Sequence, residues 1–145
     1  MRLIFIRHGE AGEKLEDSDL DFYRELTRKG QKKIQKTFKQ FTKERIEVDV
    51  IFTSPLSRAL QTAELFWKFN KKADLELTND LIPESEPQDL ARCIAFLPRG
   101  GTYVFVGHEP HLSEAVASLL AIPPNQISLK KGEILILEDK LLRRF

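Results

Sequence analysis

Arg7-His8-Gly9 follows directly on the apolar run Leu3-Ile4-Phe5-Ile6. Such a run reads as a strand buried on both faces. A guanidinium, a titratable imidazole and a glycine at its carboxyl end are poor core material. In open α/β sheets that position borders the ligand crevice; a polar turn after an edge strand is the plain alternative. The pattern returns twice. Thr102-Tyr103-Val104-Phe105-Val106 runs into Gly107-His108, and Val48-Asp49-Val50-Ile51-Phe52 runs into Thr53-Ser54-Pro55, with Arg58 close behind. Arg58 falls in the first turn of the next helix, beside a positive dipole end, where a cation is unfavourable unless it holds an anion. Two guanidiniums and two imidazoles at one sheet edge would repel one another without an anion between them. Arginine's planar fork suits phosphate oxygens, and the helix starts near Ser54-Pro55 and after Pro110 add favourable dipoles. The implied chemistry is the capture of a phosphoryl group, with Gly9 letting the backbone approach it closely.

The elements that must position these residues alternate along the chain. After the first strand, Ala11 to Asp21 reads as an acidic surface loop beside the site. Thr27 is the expected N-cap of a helix whose stripe is Leu26, Gly30, Ile34, Phe38 and Phe41. Its other face carries Lys29, Lys32, Lys33, Lys36, Lys39 and Lys43, which reads as a solvated face, with polyanion binding as the alternative. A helix over Leu56 to about Asn70 is expected to take Ser54 as N-cap and Pro55 as its first position. A short strand Ala73–Leu77, a loop through Glu84 bracketed by prolines, and a helix Gln88–Leu97 follow. After the strand ending at Gly107-His108 come a helix carrying Leu112, Ala115, Val116, Leu119 and Leu120, a last strand Glu133–Leu137, and a charged end. Strands alternating with helices imply a layered α/β domain with a largely parallel sheet. No repeat or linker interrupts it, so residues 1–145 read as one domain.

Composition narrows the function classes. Lys and Arg total 23 and Asp and Glu 22, a balance that gives no support to a nucleic-acid or membrane partner. Cys93, the lone cysteine, reads as a small buried hydrophobe, and no intramolecular disulfide is possible. With no signal-peptide or membrane-span pattern, a cytoplasmic setting is the expectation. Flanking arginines disfavour a metal ion between the two histidines, Gly9 and Gly107 lack a dinucleotide fingerprint, and the serines of Ser54-Pro55-Leu56-Ser57 have no adjacent base. No metal and no cofactor is expected.

Three segments together resemble the histidine phosphatase superfamily, the phosphoglycerate mutase-like family. They are Ile6-Arg7-His8-Gly9-Glu10-Ala11, Thr53-Ser54-Pro55-Leu56-Ser57-Arg58-Ala59-Leu60-Gln61-Thr62-Ala63, and Val106-Gly107-His108-Glu109-Pro110. The short length and the stretch from Gly107 to Ser113 are most similar to the small SixA-type branch of protein-phosphohistidine phosphatases. The resemblance implies a three-layer α/β/α sandwich with a mostly parallel central sheet. It implies His8 as a nucleophile that is transiently phosphorylated, and Arg7, Arg58 and His108 as the groups gripping the phosphoryl oxygens. Related enzymes acting on alkyl phosphates use a carboxylate as general acid. Glu84 is the first candidate, ahead of Glu10, Glu86 and Glu109, and a solvated loop residue is the equal alternative. The implied substrate is a phosphohistidine-bearing protein or a small phosphorylated molecule, handled by a monomer. A phospho-ligand binding module is the rival from another class.

Overall fold

The computed structural model describes residues 1–145. Its strands are β1 (Arg2–Arg7), β2 (Val50–Thr53), β3 (Asp74–Leu77), β4 (Thr102–Gly107), β5 (Ile134–Glu138) and β6 (Leu141–Arg144). The helices are α1 (Ser18–Phe22), α2 (Arg28–Phe41), α3 (Ser57–Trp67), α4 (Pro87–Ala95) and α5 (His111–Leu120). The six strands form one sheet in the order β3-β2-β4-β1-β5-β6. β3, β2, β4 and β1 run parallel, with Ile4 opposite Val104 and Ile51 also opposite Val104. β5 pairs antiparallel with β1, and β6 antiparallel with β5.

Side chains alternate across a strand, so each strand feeds two cores. Ile4, Ile6, Ile51, Val104, Val106, Ile134 and Ile136 pack under α2 and α3 on one face. Leu3, Phe5, Tyr103, Phe105, Leu135 and Leu137 pack under α4 and α5 on the other. The architecture is the three-layer, mostly parallel α/β fold that the alternation of elements implies. In α2, Thr27 Oγ1 accepts the Gly30 N–H at 2.9 Å, and Gly30, Ile34, Phe38 and Phe41 are buried. Burying each large apolar side chain of that stripe contributes about 1.5–3 kcal/mol. Placing β4 beside β1 brings the carboxyl ends of β1, β4 and β2 together, with helices leaving to opposite faces. That is the crevice of an open α/β sheet.

Several boundaries differ from the sequence reading. The stretch expected to be loop from Ala11 to Asp21 contains the short α1, capped by Asp17, whose carboxylate accepts from the N–H groups of Asp19 and Leu20. α3 begins at Ser57 with Leu56, not Ser54, as its cap residue, and Pro55 stands outside it. Ser54 is occupied elsewhere, as its partners below make plain. α3 also ends at Trp67 rather than near Asn70. The charged end of the chain forms β6, a strand held by pairing with β5 rather than by burial, all of its residues being exposed. Cys93 is exposed on α4, not buried, and its Sγ–H donates to Asp80 Oδ2 at 3.1 Å. No helix is long and apolar enough to cross a membrane.

Candidate active site

A cavity of about 870 Å³ opens where the three strand ends meet, and Arg7, His8, Arg58, His108 and Glu84 all line it. β1 carries Arg7 to the crevice and delivers His8 immediately beyond its last paired residue. The His8 N–H continues the ladder to the Gly107 carbonyl at 3.0 Å. His8 Nδ1 lies 2.7 Å from the Gly9 carbonyl oxygen. A carbonyl only accepts, so Nδ1 carries the proton and Nε2 keeps its lone pair. Nε2 makes no hydrogen bond and is open to the cavity. Burial pushes the His8 imidazole down to about 4, opposed by the Gly9 hydrogen bond and reinforced by Arg58, Arg7 and Arg24. At neutral pH the ring is neutral, the form that can attack an electrophile.

Gly9 does not line the cavity. Its N–H donates to Thr62 Oγ1 at 3.1 Å, its carbonyl orients His8, and a Cβ there would lie 3.0 Å from Ile34 Cγ2. The structure places Gly9 behind the imidazole, where the glycine lets the chain pass beneath α2 and its carbonyl holds the ring.

His108, at the end of β4, is almost wholly buried, and its ring centroid stands 5.1 Å from that of His8. Burial, with His8 and Arg58 nearby, lowers it to about 2. Ser54 Oγ accepts the Leu56 N–H at 3.3 Å and sits 2.9 Å from His108 Nε2. With the hydroxyl proton donated to Nε2, Nδ1 carries the ring hydrogen, and Nδ1 is buried without a partner. Arg7 donates through Nη1 to the Leu129 carbonyl at 2.9 Å, while Arg7 Nε and Arg58 Nε are also buried and unpartnered. Three of the protein's four such orphaned atoms thus belong to Arg7, Arg58 and His108. Buried donors without acceptors are costly and call for an explanation.

Arg58 is buried at 5% exposure on the first turn of α3. Its Nη1 donates to the Asp21 carbonyl at 3.1 Å and lies 3.4 Å from Asp21 Oδ2. Asp21 Oδ1 accepts from Arg24 Nε at 2.8 Å and from the Leu15 N–H at 2.9 Å. These contacts hold the Asp21 carboxyl below its usual range against the opposing effect of burial. Burial and the Arg24 guanidinium lower Arg58, opposed by the Asp21 and Glu84 carboxylates. Arg24 also lines the cavity; Nε and Nη1 are engaged by Asp21 and Gly12, and Nη2 has no partner. Asp21 and Arg24 escape the sequence reading, and Ser54 and Thr62 enter it only as a helix cap and within a matching segment, because polar residues in a loop or on a helix carry no periodic signal. The one usable clue was Thr62, four residues after Arg58 on the same helical face. Its hydroxyl donates to the Arg58 carbonyl at 2.7 Å.

The carboxylates divide sharply. Glu84 stands exposed at the rim. Glu109 lines the cavity too, but its two oxygens accept from the Ser113 and Leu129 N–H groups at 3.0 and 3.2 Å. Glu10 and Glu86 are not cavity residues. His111, at the start of α5, anchors the segment bearing Glu84. Ser85 Oγ donates to backbone carbonyls of its own segment and so accepts from His111 Nε2, at 2.9 Å.

A profile of the Histidine phosphatase superfamily (branch 1) matches residues 3–82. An uncharacterized protein of Picosynechococcus sp. is 30% identical over 99% of this chain and 88% of its own length. Among solved structures, the protein histidine phosphatase SixA complexed with tungstate superposes with a TM-score of 0.81 at 21% identity, covering 97% of this chain and 90% of that one. A phosphoserine phosphatase mutant of Entamoeba histolytica with bound phosphoserine superposes with a TM-score of 0.72 at 19% identity, over 99% and 94%. The chain belongs to the histidine phosphatase superfamily, branch 1.

Proposed function

We propose that this protein is a phosphatase that works through a phosphohistidine intermediate on His8 and removes phosphate from phosphohistidine on a protein. The observation that carries the reading is the state of His8: Nδ1 spent on the Gly9 carbonyl, Nε2 free, and the ring held neutral by burial. Nε2 attacks phosphorus in line while the bond to the leaving group breaks, so the phosphoryl group moves to His8 and the leaving atom takes a proton from water at the open rim. Water then attacks the phosphohistidine, releasing inorganic phosphate and restoring the free imidazole. Arg7 and Arg58 supply fixed positive charge, and His108 Nδ1–H a hydrogen bond, to the three equatorial oxygens. Phosphoryl transfer is served largely by such positioning and electrostatics. A tetrahedral anion between these side chains gives their unpaired donors acceptors. Guanidinium charge does the work a divalent cation does elsewhere, so the step needs no metal.

The substrate follows from leaving group and access. An imidazole leaves more readily than an alkoxide and makes less demand on an acid. The cavity is larger than a phosphoryl group requires and ends in an exposed rim. The solved relatives include a phosphoserine phosphatase, and Glu84 at the rim supports a second reading, the hydrolysis of small phosphomonoesters with Glu84 protonating the leaving oxygen. The test is phosphate release from a histidine-phosphorylated protein, from free phosphohistidine and from phosphoserine, with wild type and His8→Ala in parallel and chelator present. Release that vanishes in the variant supports the nucleophile; release surviving in His8→Ala removes it. Preference for phosphoserine over both phosphohistidine substrates selects the second reading.

A further inference from the structure

α2 presents a charge pattern that an exposed helix does not need for its own stability. No acidic residue occurs between Glu25 and Glu44, while Arg28 and six lysines from Lys29 to Lys43 fall in that interval, seven of the 23 basic residues. All seven are exposed, and none takes part in any of the six salt bridges. Lys29 and Lys33, and Lys32 and Lys36, face each other at four-residue spacing, where like charges destabilise a helix, and Lys43 follows in the 3-10 turn Thr42–Glu44 just beyond α2. Arg28 and Lys29 add cations at the positive end of the dipole. A merely solvated face would intersperse glutamates at these positions. The frustration is relieved when an anionic surface covers the helix.

The same helix packs directly behind the segments that carry the site. Its first turn packs Gly30 against the Glu10 backbone carbonyl, two residues beyond His8. Further along, Gly132, at φ +75°, passes so close to Ile34 that a Cβ would lie 2.6 Å from Cγ2. The residue before it, Lys131, lines the cavity. With 14 residues, α2 runs for about 20 Å away from the mouth, within the footprint of an ordinary protein contact of ~800 Å² per partner.

We infer that the lysine face of α2 docks an acidic surface on the phosphoprotein substrate, next to its phosphohistidine. The inference rests on the protein-substrate reading above. Three features favour a protein over a membrane or nucleic acid. Exposed Glu13, Glu16 and Glu84 line the mouth itself, interleaved with Lys14 and Lys131, so the unbroken basic face stops at α2, and a folded protein can offer acid to α2 and a mixed surface to the rim. The aromatic residues of α2, Phe38 and Phe41, are buried, leaving nothing to insert into a bilayer. The face is built almost wholly of lysine, a flexible point charge, rather than of the arginine forks that grip phosphates.

The experiment compares wild type with the triple variant Lys32→Glu, Lys33→Glu, Lys36→Glu, using a histidine-phosphorylated phosphotransfer domain of acidic surface and, separately, free phosphohistidine. The expected result is a fall of roughly tenfold or more in kcat/KM for the domain, with kcat at saturation unchanged and the salt dependence flattened. Turnover of free phosphohistidine stays within about twofold, which also reports that the variant is folded. Equal losses on both substrates, or no loss on the domain, overturn the docking role. A wild type that hydrolyses free phosphohistidine but not the domain removes the protein-substrate reading, and the docking surface with it. Binding to anionic vesicles or duplex DNA that the triple variant abolishes, with turnover of the domain unchanged, reassigns the face to a polyanion.

Discussion

Arg7, His8, Arg58 and His108 stand at the ends of paired strands or on the first turn of a core helix, and all but Arg7 are buried. Glu13, Glu16 and Glu84 stand a few residues away on exposed turns. The floor and the rim share one cavity, yet they obey different physics. On the floor each orientation is fixed by a protein partner: the backbone carbonyls of Gly9, Leu129 and Asp21 for His8, Arg7 and Arg58, and the Ser54 hydroxyl for His108. Charges there act in a low dielectric and shift one another. On the rim, water screens the charges and side chains are free to adapt. The difference teaches that the reaction type is written in the floor and the choice of substrate in the rim.

That division can be broken at several points. Removing the proposed nucleophile with His8→Ala should lower turnover on every substrate by roughly a thousandfold or more, while the melting temperature holds. Arg58→Ala should cost on the order of a hundredfold or more in turnover, again on all substrates and with the fold retained. Unfolding of that variant on thermal melting would make Arg58 a structural residue. Glu84→Gln should separate the two regions: hydrolysis of phosphoserine falls by about a hundredfold, and hydrolysis of phosphohistidine stays within about threefold. Uniform loss on both substrates would move Glu84 from the rim to the floor. Asp21→Asn tests the bond between the regions, since Asp21 ties rim residues Leu15 and Arg24 to Arg58. Leaving two guanidiniums facing each other should lower kcat/KM by about tenfold, visible in phosphate-release kinetics.

The smallest effect on catalysis at neutral pH comes from the depressed imidazoles. The His8 ring resonances should stay unchanged on acidification until about pH 4, against 6.5 for an exposed histidine. Between those values the unfolded chain binds the proton and the folded chain does not. Stability is thus fully present above pH 6.5 and declines as pH falls toward 4, by up to about 3 kcal/mol from His8 alone. His108 acts in the same direction to lower pH. Urea denaturation at pH 7 and 5 checks the sign: greater stability at pH 5 would mean the rings are charged in the folded protein.

How far the sequence reaches follows the same line between floor and rim. The buried strands and the α2 stripe are legible because burial imposes a period, and Leu3 to Ile6, Ile34 and Phe38 obey it. Arg7, His8, Arg58 and His108 are legible because they violate it, as polar residues where an apolar one belongs. Asp21 and Arg24 are not, because in a polar segment two more charges violate nothing; only the fold shows them meeting Arg58. Its place before a proline marks Ser54 as a helix cap, and the contact that redirects it, His108, lies 54 residues away. β6 was hidden for a related reason. Its residues are exposed, so pairing with β5 rather than side-chain pattern makes it a strand. Cys93 shows the reverse error: a small apolar side chain on a helix faces whichever way the turn leaves it.

β1 lies inside the sheet, between β4 and β5, and the ladder continues past its end through the His8 N–H to Gly107 and the Gly132 N–H to the carbonyls of Arg7 and His8. The backbone at His8 is therefore hydrogen-bonded on both sides. Its amide proton should exchange among the slowest of the chain, while those of exposed Glu13, Lys14 and Glu16 exchange orders of magnitude sooner. A protease that nicks that exposed segment would alter which substrates enter without releasing the imidazole from its place.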